Sequence, residues 1–239
     1  MIQGGNMSLF CLVHGSTGNA SCWDLLIPEL GKFGYQTVRM NLPVERRDLS
    51  GMEYAEIITR SIDKADDDVI VVAHSASGAF LPLAAHLKPL RHLIYLAAVI
   101  PKLETSIFGQ FRSTDSDMFK PEWVEMGQAG KNISQDDRLA MQFLFHDCSS
   151  EVAQWALSTR IFMYAEAAMN ETFPLDKFPQ VRSSYIVCSE DRTINPSWSR
   201  RAFRERFGTE VVELPGGHCP YFSRPAHLAS VLNELVTAS

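Results

Sequence analysis

The segment from Val71 to Ala79 constrains the fold of this chain most, because it places one serine between small residues where an apolar run meets a helical pattern. It reads Val-Val-Ala-His-Ser-Ala-Ser-Gly-Ala. A buried strand that turns directly into a helix needs small side chains on either side of the turn, here Ala73 and Ser77. Such a turn holds Ser75 in a strained conformation with its hydroxyl facing solvent, as in a nucleophile elbow. The common pattern has glycine at both small positions, and here Gly78 stands one place late.

The same segment also fits a plain strand followed by a serine that caps a helix. A serine hydroxyl is a weak nucleophile until a base accepts its proton and hydrogen-bond donors stabilise the developing oxyanion. The catalytic interpretation therefore requires a histidine, a carboxylate and two backbone donors elsewhere in the chain.

Length and charge limit the classes of protein and partner. With 239 residues the chain fits one large α/β domain. The net charge is −6, and no basic run is longer than the pairs Arg46-Arg47 and Arg200-Arg201, which argues against nucleic acid and anionic membranes as partners. No apolar run approaches the roughly 20 residues that span a bilayer. We therefore expect a small, uncharged substrate.

The N-terminal residues and the cysteines bear on the cellular compartment of the protein. Residues Met1 to Asn6 carry no positive charge and no apolar core, so they predict a short disordered lead-in rather than a secretion signal. Five cysteines is an odd number, and Cys11 and Cys188 lie in apolar runs, which favours free thiols in a reducing, cytoplasmic setting. The scattered histidines and the absence of a Cys-x-x-Cys motif predict no metal site.

Apolar runs alternate with helical patterns along the chain, which is typical of a mostly parallel sheet covered by helices. The predicted strands are Leu9 to Val13, Thr37 to Asn41, Val69 to Ala73, His92 to Ala97, Ser184 to Cys188 and Glu210 to Leu214. The predicted helices are Ser21 to Lys32, Tyr54 to Ala65, Ser77 to Leu87, Pro196 to Phe207 and Pro225 to Val236.

Residues 101–180 interrupt this alternation with helical patterns and no convincing strand. We interpret them as a helical cap inserted into an α/β core formed by residues 1–100 and 181–239. Large apolar side chains such as Phe108, Phe111, Trp123 and Met163 occur throughout the cap. Most are expected to bury the cap's own helices, and some to face the site that the cap covers.

The oxyanion donors are expected near the first strand. The loop His14-Gly15-Ser16-Thr17-Gly18 follows that strand, and its glycines allow backbone N–H groups to point into a cleft. Beside the elbow, the N–H groups of Ser16 and Ala76 would form an oxyanion hole. Without the elbow, the same loop would be interpreted as a plain turn between strand and helix.

The base and the carboxylate are expected in loops that follow later strands, where open α/β sheets build their sites. His218 lies in a glycine-rich loop that can reach Ser75, whereas His14 and His74 flank turns and are expected to bond locally. Asp191 would hold the imidazole of His218 in the required tautomer, and Glu190 is the competing carboxylate. The order Ser, Asp, His along the chain is that of α/β-hydrolases.

The chain resembles the α/β-hydrolase superfamily over essentially its whole length. The resemblance rests on His14-Gly15, the Ser75 elbow, Asp191 and His218. The run from Tyr185 to Arg192 and the residues before His218 look most like the branch of small plant and bacterial esterases and hydroxynitrile lyases. The resemblance implies an eight-stranded, mostly parallel sheet with a helical cap, and Ser75, Asp191 and His218 as the catalytic triad.

Two departures from the branch bear on the reaction. The lyases carry a lysine directly after the base histidine, and this chain has Cys219 there, which favours ester hydrolysis. The cap is shorter than that of the plant members, so the size of the substrate stays open.

The resulting expectation is a serine hydrolase that cleaves a small to medium apolar carboxylic ester through an acyl-enzyme on Ser75, with no cofactor. Two alternatives stay open: a carbon–carbon bond hydrolase or lyase that uses the triad for proton transfer, and a non-catalytic protein of the same fold that binds a small ligand. A homodimer is possible.

Overall fold

The computed structural model describes residues 8–65, 68–132 and 135–238. The predicted lead-in from Met1 to Asn6 lies outside these residues. The described strands are β1 (Leu9–Val13), β2 (Gln36–Arg39), β3 (Val69–His74), β4 (His92–Leu96), β5 (Arg182–Cys188) and β6 (Val212–Leu214). They form one sheet in the order β2-β1-β3-β4-β5-β6, and every neighbouring pair is parallel. All six strands predicted from the residues are confirmed, with ends shifted by up to two residues.

The family resemblance implies eight strands, whereas the described residues form six. The sheet ends at β2, which has four residues, and both terminal ones, Gln36 and Arg39, are exposed. Short strands with polar, exposed residues are typical of a sheet edge.

Helices cover both faces of the sheet. They are α1 (Leu26–Lys32), α2 (Gly51–Arg60), α3 (Leu81–Leu87), α4 (Ile107–Arg112), α5 (Pro121–Gln128), α6 (Asp137–Phe143), α7 (Ser150–Thr159), α8 (Glu166–Asn170), α9 (Pro196–Phe207), α10 (Pro220–Ser223) and α11 (Pro225–Thr237). Two 3-10 helices, Ala20–Trp23 and Ser75–Phe80, precede α1 and α3. Within the described residues, no helix has both the length and the apolar character needed to cross a membrane.

The strands send alternate side chains to opposite faces, which creates two cores. Val71 of β3 packs in the core that includes residues of α2, α3 and α9, and Val72 packs in the core that includes residues of α1 and α11. Every residue of β3 is buried, as expected for the interior strand of a parallel sheet covered on both sides.

Two predicted helices are each divided in the structure, and proline explains both divisions. The predicted helix from Ser21 contains Pro28, and the one from Ser77 contains Pro82. Because proline has no N–H to donate, it fits only in the first turn of a helix. The α-helices therefore restart close before each proline, and the residues ahead of them form the tighter 3-10 turns. Asn195 caps α9, since its side chain accepts a hydrogen bond from the N–H of Ser197 at 3.1 Å.

The segment between β4 and β5 contains α4 to α8 and no strand of the sheet in its described residues. An isolated antiparallel β-bridge between Phe119 and Ile194 joins this segment to the loop that follows β5. A second contact joins the N–H of Met163 to the carbonyl oxygen of Ser16 at 2.7 Å. Both contacts lie beside the loops in which catalytic residues were predicted.

Candidate active site

The candidate site lies at the carboxyl ends of the strands, beside β1 and β3. The strand order reverses its direction between these two strands, and ligands of open α/β sheets bind in the crevice at such a point. The loop after β1 carries Ser16, and Ser75 directly follows β3. The loops after β5 and β6 carry Asp191 and His218. The topology thus brings all four segments to one edge of the sheet.

Ser75 occupies a strained turn. Its φ angle is 55°, in the left-handed region that residues other than glycine rarely adopt. The backbone on both sides is fixed, because β3 pairs with strands on each edge and the N–H of Val99 donates to the carbonyl oxygen of Ser75 at 2.9 Å. Strain of this kind persists only where the surrounding structure holds it, and it is frequent at active sites.

The structure explains why serine and glycine stand where they do after Ser75. Ser77 is fully buried, and its hydroxyl donates to the carbonyl oxygen of His14 at 2.6 Å, which joins the elbow to the loop after β1. A Cβ at Gly78 would lie 2.3 Å from the carbonyl oxygen of Val99, so only glycine fits there. The close backbone approach in this chain therefore occurs one residue later than in the common pattern.

Ser75, His218 and Asp191 form a continuous chain of hydrogen bonds. Nε2 of His218 lies 3.1 Å from Oγ of Ser75, and its Nδ1 lies 2.8 Å from Oδ2 of Asp191. An ionised carboxylate only accepts, so Nδ1 carries the proton and Nε2 is free to accept the proton of the Ser75 hydroxyl. The side chains of His218 and Asp191 are almost completely buried. This arrangement can activate an alcohol as a nucleophile.

Asp191, rather than Glu190, is the carboxylate that forms a hydrogen bond with the imidazole of His218. Its second oxygen, Oδ1, accepts hydrogen bonds from the N–H groups of Thr193 at 2.7 Å and Ile194 at 3.1 Å. These bonds fix the carboxylate while Oδ2 faces the imidazole. Glu190 is exposed, and its own N–H is used in a 2.9 Å bond to the carbonyl oxygen of Gly216.

Two further histidines near the site, His14 and His74, have structural partners. His14 bonds locally as predicted, through Nδ1 to the carbonyl oxygen of Gly15 at 2.8 Å, and its Nε2 accepts from the N–H of Leu42 at 3.0 Å. His74 bonds over a long range instead, since its Nε2 donates to the carbonyl oxygen of His218 at 2.9 Å. Burial lowers the pKa of both imidazoles, and for His74 the nearby His218 lowers it further. Both rings therefore stay neutral, and His74 supports the loop that carries His218.

The two residues predicted as oxyanion donors lie at the same cavity as Ser75. Ser16 is in a turn closed by a 3.2 Å hydrogen bond from the N–H of Gly18 to the carbonyl oxygen of Gly15. Ala76 is the second residue of a helix, where the N–H has no acceptor within the helix. A Cβ at Gly15 would lie 2.8 Å from Cβ of Ser75, so glycine allows the turn to pack against the nucleophile.

The cavity above Ser75 has a volume of about 240 Å³. Its wall combines the polar groups of the site with large apolar side chains from the segment between β4 and β5. These include Phe108, Phe111, Phe119, Trp123, Phe162 and Met163. Other large residues of the same segment, such as Met118 and Phe143, are buried within the protein and do not line this cavity.

One group beside the site was not identified from the sequence. Oδ2 of Asp147 accepts a 2.8 Å hydrogen bond from the N–H of Gly217 and pairs with Arg224 at 3.0 Å. The run His146-Asp147-Cys148 predicts the start of a helix, but α7 begins at Ser150 with Ser149 as its cap. Asp147 and Arg224 are 77 positions apart, so no local pattern links them.

No group of three or more His, Cys, Asp or Glu side chains that could hold a metal ion occurs among residues 8–65, 68–132 and 135–238. All five cysteines, each of which the structure describes, are free, and four of them are buried. The polar side chains that line the cavity are hydroxyl groups and the imidazole of His218. The hydroxyls belong to Ser16, Thr17, Ser75, Tyr164 and Thr193.

Comparison with known proteins agrees with this architecture. The sequence model of the alpha/beta hydrolase family matches residues 12–230. Methylesterase 7 of Arabidopsis thaliana is 24% identical to the chain and is aligned over 96% of both proteins. Salicylic acid-binding protein 2 of Nicotiana tabacum is 25% identical, over 95% of this chain and 96% of its own length.

Solved structures show a similar fold. A crystal structure of a polyneuridine aldehyde esterase variant superposes with a TM-score of 0.75, covers 96% of this chain and 99% of its own, and is 20% identical in sequence. The two structures therefore share a fold over nearly the whole length of both chains.

Proposed function

The chain belongs to the alpha/beta hydrolase family, and on that premise we propose that it is a carboxylic-ester hydrolase with Ser75 as its nucleophile. The observation that carries this proposal is the hydrogen-bonded chain from Ser75 through His218 to Asp191 at an apolar cavity. Four features of a serine hydrolase are then present together: a strained serine, a base with a free nitrogen, a buried carboxylate and adjacent backbone donors.

In the proposed reaction, Oγ of Ser75 attacks the ester carbonyl carbon while Nε2 of His218 accepts the hydroxyl proton. Asp191 stabilises the resulting imidazolium, and the N–H groups of Ser16 and Ala76 stabilise the oxyanion. The tetrahedral intermediate collapses, the alcohol departs with the proton from His218, and an acyl-enzyme remains. Water, deprotonated by His218, then attacks the acyl carbon, and the acid is released as the proton returns to Ser75.

The proposed substrate is a small to medium apolar acyl or aryl ester of a small alcohol such as methanol. An apolar wall of aromatic and methionine side chains favours an apolar group in the portion of the acid that lies next to the ester. The relative Methylesterase 7 is named for methyl ester cleavage, which supports a small alcohol part.

Ester hydrolysis is favoured over the lyase alternative by the residue that follows His218. Cys219 is 1% exposed, and burial raises the pKa of its thiol well above the usual value, so this position carries no charge. Its sulfur accepts a hydrogen bond from the Tyr221 hydroxyl at 3.4 Å. A leaving cyanide ion would meet no cationic partner at this position.

The test is turnover of p-nitrophenyl esters of increasing chain length, followed by trapping of the intermediate. We expect hydrolysis by the wild-type protein, its loss in Ser75→Ala, and a mass increase equal to one acyl group on the peptide that contains Ser75. Ser230→Ala, a change at a half-buried serine of α11 that does not line the cavity, is the matched control. Turnover that survives in Ser75→Ala contradicts the nucleophile, and turnover without an acylated peptide favours the proton-transfer alternative. A protein that binds the esters without turnover would be the non-catalytic alternative.

A further inference from the structure

A second cavity, of about 450 Å³, lies beside the catalytic one and is lined by residues of α4, by residues of α5 and by Phe119 between these helices. Four aromatic side chains border both cavities: Phe108, Phe111, Phe119 and Trp123. Two of them, Phe111 and Phe119, pack edge to face with their ring centroids 5.2 Å apart. The outer cavity is thus continuous with the wall of the catalytic cavity, and the same rings are available to a ligand from either side.

The outer cavity ends at a cationic group. Arg112, at the end of α4, lines it together with Gln128, and its guanidinium carbon lies 5.9 Å from the centroid of the Phe108 ring. Arg112 is exposed and takes part in none of the ion pairs formed by the described residues. A guanidinium beside an aromatic wall can bind a carboxylate in two parallel hydrogen bonds.

The size of the catalytic cavity limits what it can hold alone. Its volume of about 240 Å³ lies below the range of about 300–1,000 Å³ that is usual for ligand sites. The outer cavity adds space of the same apolar character. All eight residues of α5 are described and none is buried, so this side of the outer cavity lies at the surface of the protein.

We infer that the outer cavity is a second substrate subsite, which binds the remote, ring-sized part of the acid of an extended ester and a carboxylate at its end through Arg112. The inference rests on the proposed function, since the ester group must lie at Ser75 while the remote ring crosses the shared aromatic wall. It narrows the substrate class to esters whose acid part contains two apolar units in line, the outer one with an anionic terminus.

Gly127 offers a direct way to fill the subsite. It lines the outer cavity on α5, and a Cβ added there would meet no described atom within 4 Å. Gly31, on α1, is equally unobstructed and lies outside both cavities, so Gly31→Phe is a matched control for Gly127→Phe. For the charge, Arg112→Met removes the guanidinium, and Arg60→Met, at an exposed arginine of α2, is its control.

The experiment measures kcat/KM for three methyl esters: phenylacetate, 4-biphenylylacetate and its 4′-carboxylate. Gly127→Phe should lower the ratio of kcat/KM for either biphenyl ester over phenylacetate by about tenfold or more, because the inserted ring occupies the outer cavity. Arg112→Met should lower the ratio for the carboxylate ester over the uncharged biphenyl ester by about tenfold. Both ratios should stay at the wild-type value in the two control variants.

Ratios that do not change in Gly127→Phe and Arg112→Met overturn the subsite while leaving the esterase proposal intact. If the wild-type protein hydrolyses none of the esters, the esterase proposal fails, and the subsite is tested by calorimetric titration of phenylacetic and 4-biphenylylacetic acids. Weaker binding of the biphenyl acid alone in Gly127→Phe then supports the subsite, and an equal effect on both acids overturns it.

Discussion

The hydroxyl of Ser77 donates a 2.6 Å hydrogen bond to the carbonyl oxygen of His14, so the helix that begins at the proposed nucleophile is joined directly to the loop that carries Ser16. Both groups are buried. The two proposed oxyanion donors, Ser16 and Ala76, belong to different segments of the chain, and this bond fixes the distance between those segments. Residue 77 thus has a role that a glycine could not fulfil.

Replacing Ser77 by alanine is expected to weaken both activity and stability. The carbonyl of His14 would lose its partner without gaining water, which costs about 1–3 kcal/mol of unfolding free energy. We expect kcat/KM to fall by about tenfold, as a consequence of a looser oxyanion hole. Ester kinetics and urea denaturation measure the two effects, with Ser230→Ala as the control. Activity within twofold of wild type would show that the loop is fixed by other contacts.

Two substitutions at Ser75 distinguish the effect of backbone strain on stability from the loss of the nucleophile. Neither alanine nor glycine can act as a nucleophile, so turnover should be lost in both. At a φ of 55°, alanine keeps the strain of the wild-type residue and glycine relieves it. Ser75→Gly should therefore be more stable than Ser75→Ala by about 1 kcal/mol. Urea denaturation of the two variants gives the comparison, and equal stabilities would mean that the turn stores no strain.

The two carboxylates after β5 are expected to differ sharply in their effect on turnover. Asp191→Asn retains the shape of the side chain but favours the wrong tautomer of His218, and we expect kcat to fall by about 10³ to 10⁴. Glu190→Gln changes an exposed side chain and should leave kcat within about twofold. Steady-state kinetics with one p-nitrophenyl ester decide between them. The reverse order of effects would assign the carboxylate to Glu190.

The stability of the fold should decrease in acid because of buried histidines. Burial, with smaller contributions from Arg182 and Arg91, lowers the pKa of His92 to about 4. The imidazole of His92 binds a proton at its usual pKa of 6.5 in the unfolded chain, but only near pH 4 in the folded protein. The contribution of His92 to the free energy of unfolding is therefore fully present above pH 6.5 and is lost as the pH falls towards 4. The contribution is of the order of 3 kcal/mol.

His92→Gln should flatten the pH dependence of unfolding between pH 6.5 and 4, as measured by urea denaturation at several pH values. His74, whose pKa burial also lowers, contributes with the same sign, so a residual slope is expected in the variant. His227→Gln, at an exposed histidine of α11, should keep the wild-type slope. An unchanged slope in His92→Gln would mean that His92 is protonated in the folded state at mildly acidic pH.

The strands and the elbow could be predicted from the sequence because their signals are local. Apolar runs mark β1 and β3, and small residues on both sides of Ser75 mark the turn. Asp191 and His218 were predicted because they follow strands whose carboxyl ends meet at one edge of a parallel sheet. The convergence of these loops was predicted from a general rule about parallel sheets and not from any one residue.

Contacts between distant segments could not be predicted in the same way. The bond of His74 to the carbonyl of His218 joins positions 144 apart, and the predicted local bond was wrong for this ring. The division of the helix after Ser75, by contrast, follows from Pro82 and could have been deduced from the missing N–H of proline. The second cavity depends on how α4 and α5 pack, which periodicity does not determine.

Asp147 is expected to position the catalytic histidine through the backbone. Its Oδ2 accepts the N–H of Gly217, the residue before His218, while Arg224 holds the same oxygen from the other side. Although burial raises the pKa of Asp147, the hydrogen bond from Gly217 and the guanidinium of Arg224 hold it below its usual value, so the carboxylate is ionised. Asp147→Asn keeps the size of the side chain and removes the charge that strengthens both bonds.

We therefore expect Asp147→Asn to lower kcat by about tenfold with little change in KM, because Asp147 lies outside the cavity that would hold the substrate. The rate at which a fluorophosphonate labels Ser75 should fall by the same factor, since labelling depends on the Ser75–His218 pair and not on ester binding. Asp137→Asn, at an exposed aspartate paired with Arg160, is the control. A variant that unfolds at lower urea but labels at the wild-type rate would limit Asp147 to stability. A matched fall in kcat and labelling would instead show that the carboxylate acts through the orientation of the imidazole.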